Sequence, residues 1–78
     1  MSTFEKRLKA IKEHPNAVTF AELDAVLRGQ GWERHKPNSG SHYTYSKKGV
    51  FGIITVPFRK PHVKRHYVEM VIALLMCE

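Results

Sequence analysis

The sequence predicts an α+β domain in which helices cover one face of a small antiparallel sheet. Two amphipathic stretches with helical spacing come first, three short segments rich in strand-forming residues follow, and a third helical stretch closes the chain. A chain of 78 residues has room for one layer of helices on one such sheet. We therefore expect a single compact domain with the order helix, helix, three strands, helix.

Two amphipathic helices are predicted before the strands. The first spans residues 3–14, where the apolar side chains fall on one stripe with lysines around it: Phe4, Leu8 and Ile11. The second begins with a capping box, in which Thr19 caps the helix and Glu22 reaches back to the Thr19 amide. Either Gly29 or Gly31 ends this helix by adopting a left-handed conformation.

Three short strands and a last helix complete the predicted fold. The strands are residues 32–36, 41–47 and 50–58. Turn residues at positions 37–40 separate the first two strands, and Lys48-Gly49 suits a hairpin turn between the second and third. The last helix is expected over residues 62–76. Its stripe of apolar side chains is Val63, Tyr67, Met70, Val71 and Leu74, and Val68, Ile72 and Leu75 widen it.

The second strand has two chemically different faces, because side chains alternate across a strand. Tyr43 and Tyr45 have the apolar area to lie beneath the helices. The other face then carries His42, Thr44 and Ser46, as an uncovered sheet face would. Histidine is the residue type that exchanges protons near neutral pH. Two interpretations of His42 stay open: a surface residue at a strand start, or a proton-transfer group.

The positive charge is confined to the second half of the chain. The formal net charge is +6; residues 1–33 carry equal numbers of basic and acidic groups, whereas residues 34–78 carry eight basic groups against two acidic ones. A one-sided basic field attracts polyanions, and nucleic acid is the first partner class that it indicates. The alternative is an ordinary solvated face.

Other site chemistries have weaker patterns. His62 and His66 are four residues apart and could share a metal, but no further ligand lies at a recognisable spacing. We interpret them as two cationic side chains at a helix start and expect neither a metal nor a cofactor. Ser41 and His42 cannot form a nucleophile–base pair, because neighbours on a strand point to opposite faces.

The chain has the features of a cytoplasmic protein. It has no apolar run long enough to span a bilayer, and the charged N-terminus lacks the apolar stretch of a signal peptide. The single cysteine, Cys77, cannot form an internal disulfide, which fits a reducing compartment. We expect a cytoplasmic location and no membrane partner.

One reaction suits a solvated histidine among basic residues. RNA can be cleaved by its own 2′-hydroxyl, which attacks the adjacent phosphate without a protein nucleophile or a metal. The reaction needs a base near the hydroxyl, an acid near the leaving oxygen, and cations that hold the charge of the phosphorane.

Four segments carry a family resemblance: "LDAVLRGQGWE", "GSHYTY", "ITVPF" and "HVKRHYVEMVIALL". In this order, from about Val18 to Leu75, the chain resembles the HicA family of bacterial toxins, small mRNA interferases of type II toxin–antitoxin systems. The resemblance implies a fold similar to a double-stranded-RNA-binding domain, formed by residues 18–78, with residues 1–17 as an N-terminal helical extension. It also implies metal-independent cleavage of mRNA and neutralisation by a HicB-like antitoxin.

The histidine of the family's Gly-Ser-His signature is catalytic, and that role falls on His42. Gly40 and Ser41, which set the strand entry, are predicted to contact the substrate. The basic residues expected to hold its phosphates are Lys47, Lys48, Lys64 and Arg65. The general acid is not assigned by the sequence. The alternative function is a non-catalytic RNA-binding module of the same fold, and a third is a regulatory protein that dimerises through its apolar last helix.

Overall fold

A computed structural model describes residues 3–37 and 40–76. Its elements are α1 (Thr3–Glu13), α2 (Phe20–Gly29), β1 (Glu33–His35), β2 (His42–Ser46), β3 (Ile54–Pro57) and α3 (Arg65–Met76). The strands form one open antiparallel sheet in the order β1-β2-β3. The predicted α+β class and the order of the elements are confirmed. Asn38 and Ser39 of the predicted loop, and Cys77, lie outside the described residues.

The start and end of α2 follow from its sequence. The Thr19 hydroxyl accepts a hydrogen bond from the Glu22 amide at 3.1 Å, and the Glu22 carboxylate accepts one from the Thr19 amide at 3.0 Å. This is the predicted capping box, which satisfies two amides that the helix itself leaves without partners. At the other end Gly29 is still helical, and Gly31 has the left-handed conformation, with φ of 91°. Of the two glycines considered, Gly31 therefore ends the helix.

The hydrophobic core lies between the helices and one face of the sheet. Its buried helical residues include Ile11, Leu23, Val26, Leu27, Val68, Val71 and Leu75. The sheet contributes Tyr45, Ile54 and Val56. Ile11 of α1 belongs to this same core, so the first helix packs on the rest of the chain. The division into an extension and a domain at residue 18 stays a sequence prediction.

The two faces of β2 are as predicted. Tyr45 is 1% exposed, and Tyr43 is half-buried with its ring centroid 5.0 Å from that of Phe20. His42 is exposed. Because residues paired across antiparallel strands point to the same face, the pairing of Tyr43 with Val56 puts both on the core side. His42 therefore lies on the open face.

The third strand is shorter than predicted. The expectation that it begins at residue 50 is wrong, because β3 begins at Ile54. The hairpin turn at Lys48-Gly49 is present, and Gly49 and Gly52 have φ of 85° and 98°, which an extended strand does not accommodate. The residues between the turn and the strand have exposed side chains: Val50, Phe51 and Ile53. β1 and β2 each lie within one residue of their predicted bounds.

The last helix begins three residues later than predicted, at Arg65. Val63 is buried before the helix starts, where its amide donates to the carbonyl of Val18 at 2.8 Å. The buried stripe of α3 is Val68, Val71 and Leu75. Met70 is 43% exposed, so its predicted place in the stripe is wrong. At 3.6 residues per turn, Met70 lies on the opposite side of the helix from Val68 and Leu75.

A buried carboxylate joins α2 to the sheet. The Tyr45 hydroxyl donates to Asp24 Oδ1 at 2.7 Å, and Asp24 is 8% exposed. Asp24 Oδ2 lies 3.4 Å from Nη1 of Arg34 and 3.7 Å from Nη1 of Arg28, so the charge is compensated. Burial, and secondly the hydrogen bond to Asp24, raises the pKa of the Tyr45 phenol above its ordinary value of 10.0.

The raised pKa of Tyr45 has a consequence for stability at high pH. At neutral pH we expect Tyr45→Phe to lower the free energy of unfolding by about 1–3 kcal/mol, because Asp24 loses a buried donor. The phenol keeps its proton to a higher pH in the folded than in the unfolded state. Its contribution to the free energy of unfolding is therefore complete below about pH 10 and falls above it, by up to about 1.4 kcal/mol per pH unit. Urea unfolding of both proteins over this range measures the difference.

The difference in unfolding free energy between wild type and Tyr45→Phe should narrow above about pH 10. The matched control is Tyr43→Phe, which removes a phenol from a half-buried position on the same strand. If the difference in unfolding free energy between wild type and Tyr45→Phe stayed constant above about pH 10, the raised pKa of the Tyr45 phenol would be contradicted.

Candidate functional site

His42 is held at the end of the sheet where the chain enters β2. Gly40, two residues before it, has φ of 65°, the left-handed conformation that favours glycine. The carbonyl of Ser41 accepts a hydrogen bond from the Phe58 amide at 2.7 Å, which extends the pairing of β2 with β3 beyond the strand ends. Together these contacts fix His42 directly beside Pro57, its partner in the register.

His42 lines a depression of about 280 Å³. The other lining residues are Pro57, Phe58, Arg59, Lys64 and Tyr67. The volume is at the lower end of the range for ligand pockets. Its lining combines a histidine, two basic residues, a phenol and apolar surface. We call this depression the His42 pocket.

The far wall of the His42 pocket comes from the start of α3. Tyr67 is half-buried and packs against the hydrophobic core, and its amide donates to the carbonyl of Lys64 at 3.1 Å. Its ring centroid is 4.0 Å from that of His66. Phe58 packs edge-on against Phe20, with ring centroids 5.2 Å apart. The pocket is therefore built on side chains that the core itself positions.

The polar groups of the His42 pocket have no partners within the described part of the chain. Three arginines elsewhere have acidic contacts: Arg28 and Arg34 share Asp24, and Arg65 contacts Glu69. In contrast, no ion pair or side-chain hydrogen bond joins any of the pocket's polar side chains to another described residue. These side chains are His42, Arg59, Lys64 and Tyr67. None of the described carboxylates lines the pocket, so its positive charge is available to an anion from outside.

Of the predicted phosphate-binding residues, the structure brings Lys64 into the pocket with His42. Arg65 lies one residue further on and lines an adjoining depression, whose basic walls it shares with Arg59 and Lys64. Its guanidinium contacts Glu69 one helical turn away. Arg65 is thus beside the pocket, and its charge is partly compensated.

Lys47 and Lys48 lie at the opposite end of β2 from His42. The intervening strand separates Lys47 from His42 by roughly 17 Å at the rise of an extended chain. The Cε atom of Lys47 lies 3.7 Å from where a Cβ on Gly31 would be, close to the turn that ends α2. The structure does not bring these two lysines together with His42.

Two polar residues of the His42 pocket, Arg59 and Tyr67, were not among the predicted site residues. Arg59 belongs to a basic loop whose course the sequence does not determine. Tyr67 was placed in the apolar stripe of the last helix, where its ring does contact the core. No local pattern separates a tyrosine that only packs from one that packs and also lines a pocket, because the difference depends on what lies opposite in the fold.

Comparisons of the chain with protein-family models, with curated proteins and with solved structures found no match. Within residues 3–37 and 40–76, no group of three or more His, Cys, Asp or Glu side chains could hold a metal ion. No helix in that part of the chain is long and apolar enough to cross a membrane. The function is therefore argued from the geometry and charge of the His42 pocket.

The unpaired basic groups predict where a small phosphate ligand binds. We expect uridine 3′-monophosphate to shift the amide NMR signals of His42, Phe58 and Arg59, and of residues 64–67, more than those of the other residues. The double variant Arg59→Ala/Lys64→Ala should weaken binding about tenfold, since it removes two solvent-exposed ionic contacts. The charge-matched control, Lys6→Ala/Arg7→Ala, changes α1 only. Shifts centred on Lys48 instead would contradict this location.

Proposed function

We propose that this protein is an endoribonuclease that cleaves mRNA through attack of the RNA's own 2′-hydroxyl. The observation that carries the proposal is the His42 pocket, where an exposed histidine and two basic residues without acidic partners line one depression. Each group has a place in the reaction. Histidine transfers the proton, and Arg59 and Lys64 hold the phosphate.

In this reaction His42 removes the proton of the 2′-hydroxyl, and the oxygen attacks the adjacent phosphorus. Arg59 and Lys64 stabilise the additional negative charge that develops on the phosphoryl oxygens. The RNA supplies its own nucleophile, so the protein needs neither a nucleophilic side chain nor a metal-bound water. The products are a 2′,3′-cyclic phosphate and a 5′-hydroxyl.

The substrate-binding roles of Gly40 and Ser41 remain part of the proposal. Gly40 has a left-handed conformation, and among the described residues beyond its chain neighbours no atom lies within 4 Å of the place a Cβ would take, so a nucleotide could approach the strand entry closely. Ser41 is exposed and directly precedes His42 in the chain. Lys47 and Lys48, at the far end of β2, would contact phosphates further along the RNA. Arg65 would contact a phosphate next to the cleavage site.

We further propose that the protein is a HicA-like toxin, an mRNA interferase of a type II toxin–antitoxin system that acts in the cytoplasm. The Gly-Ser-His segment and the other quoted segments support this, and a sheet covered on one face by helices is compatible with a fold like a double-stranded-RNA-binding domain. Such an enzyme needs a HicB-like antitoxin to mask it. The basic pocket favours an acidic partner surface, and the product of a neighbouring gene is the first candidate.

The second candidate function is a non-catalytic RNA-binding module of the same fold. The same unpaired basic residues favour it, because Arg59 and Lys64 would hold a phosphate whether or not cleavage follows. The two functions differ in what His42 does. Salt-sensitive RNA binding by a wild-type protein that leaves the RNA intact would support the module and exclude the nuclease.

Replacing His42 tests the proposed function. We expect His42→Ala to keep its fold, because the exposed side chain contributes little to packing, and to lose about 100- to 10,000-fold in cleavage rate. RNA binding should persist through Arg59 and Lys64. The measurements are circular dichroism, a gel of a labelled RNA, and a binding titration, each beside wild type. EDTA should leave wild-type cleavage intact, and the products should carry a 2′,3′-cyclic phosphate.

The matched control is His14→Ala, an exposed histidine just after α1 and outside the pocket. It should cleave RNA at the wild-type rate. A folded His42→Ala protein with the wild-type rate would rule out the proton-transfer role of His42. Cleavage abolished by EDTA would rule out the metal-independent reaction.

A further inference from the structure

The proposed reaction has two proton transfers at opposite sides of one phosphorus. A base takes the proton of the attacking 2′-oxygen, and an acid protonates the 5′-oxygen as it leaves. One histidine cannot easily serve both ends at the same moment. His42 therefore accounts for one of the two transfers, and another group in the pocket must account for the second.

The His42 pocket offers three other polar side chains. The guanidinium of Arg59 does not give up its proton in proteins, so it serves as a fixed charge. Lys64 is exposed on a long flexible stem and is suited to phosphate binding. Tyr67 carries a phenolic hydroxyl, which is a hydrogen-bond donor and can pass a proton to a leaving oxygen.

Tyr67 is also the best positioned of the three. It is half-buried, its ring packs against the hydrophobic core, and it sits in the first turn of α3, so the side chain is held at the pocket wall. His42 enters from the strand and Tyr67 from the helix. The two groups thus reach a ligand in the pocket from different elements. The Tyr67 hydroxyl has no hydrogen-bond partner among the described residues.

We propose that Tyr67 is the general acid of the reaction. This inference rests on the proposed function and names its second proton-transfer group. As the 2′-oxygen bonds to phosphorus and gives its proton to His42, the bond from phosphorus to the 5′-oxygen breaks. Tyr67 Oη gives its proton to that oxygen, which leaves as a hydroxyl. The resulting phenolate and the protonated His42 return to their starting states by proton exchange through solvent.

The test is Tyr67→Phe, which keeps the ring and removes only the hydroxyl. On ordinary RNA we expect cleavage to fall by about 100- to 10,000-fold, as for loss of a general acid. A second substrate carries sulfur in place of the bridging 5′-oxygen at the cleavage site. Because a thiolate leaves without being protonated, Tyr67→Phe should cleave this substrate at nearly the wild-type rate, whereas His42→Ala should remain slow.

Two control variants make the result specific. Tyr43→Phe loses a phenol from outside the pocket and should cleave both substrates normally. Lys64→Ala should weaken the cleavage of both substrates equally, because it removes a phosphate contact. If the sulfur substrate restored the cleavage rate of Lys64→Ala and not that of Tyr67→Phe, Lys64 would be the general acid and the proposal would be overturned.

The remaining outcomes separate this inference from the proposed function. If Tyr67→Phe cleaves ordinary RNA as fast as wild type, Tyr67 is not the general acid, and the proposed nuclease function is unaffected. An equal loss on both substrates, in a protein with wild-type circular dichroism, makes Tyr67 a positioning residue and also overturns the inference. A wild-type protein that cuts neither substrate overturns the proposed function and this inference with it.

Discussion

The hydrogen bond from Tyr45 to the buried carboxylate of Asp24 sets the register on which the rest of the structure depends. It joins the middle of α2 to the central strand, and Arg34 on β1 contacts the other oxygen of the same carboxylate. A slip of one residue in β2 would turn every side chain to the opposite face. Tyr45 would then face solvent, Asp24 would lose its buried donor, and His42 would lie beneath the helices.

The same register separates two environments that the proposed chemistry needs. The covered face takes the tyrosines and the apolar residues of β3, which supply the stability of a small domain. His42 can then stay exposed at no cost to packing. The pocket forms where the two environments meet, at the end of the sheet. There the ring of Tyr67 packs against the core and Arg59 and Lys64 are exposed, so half-buried and exposed groups line one pocket.

Local patterns in the sequence predicted most of the fold and only part of the site. Alternation correctly assigned the faces of β2, and the Thr19–Glu22 capping box set the start of α2 correctly, because both depend on near neighbours. The start of β3 was missed because β-branched residues dominated the pattern, whereas Gly49 and Gly52 determine the backbone. Asp24 and Tyr67 were missed for a different reason: their partners lie far away in sequence, and only the folded chain brings them together.

The outer edge of β3 has a further consequence, for self-association. An edge strand exposes unpaired backbone groups that can template the addition of another chain, most readily when the strand is long and apolar. Here the strand is four residues long. Gly52 bends the backbone just before it, and Pro57 at its end has no amide hydrogen to offer. The apolar run from Val50 to Ile53 is thereby kept out of the ladder. If Gly52 were replaced by a residue with an extended backbone conformation, the exposed edge would be longer and more apolar, and the chain would aggregate more readily.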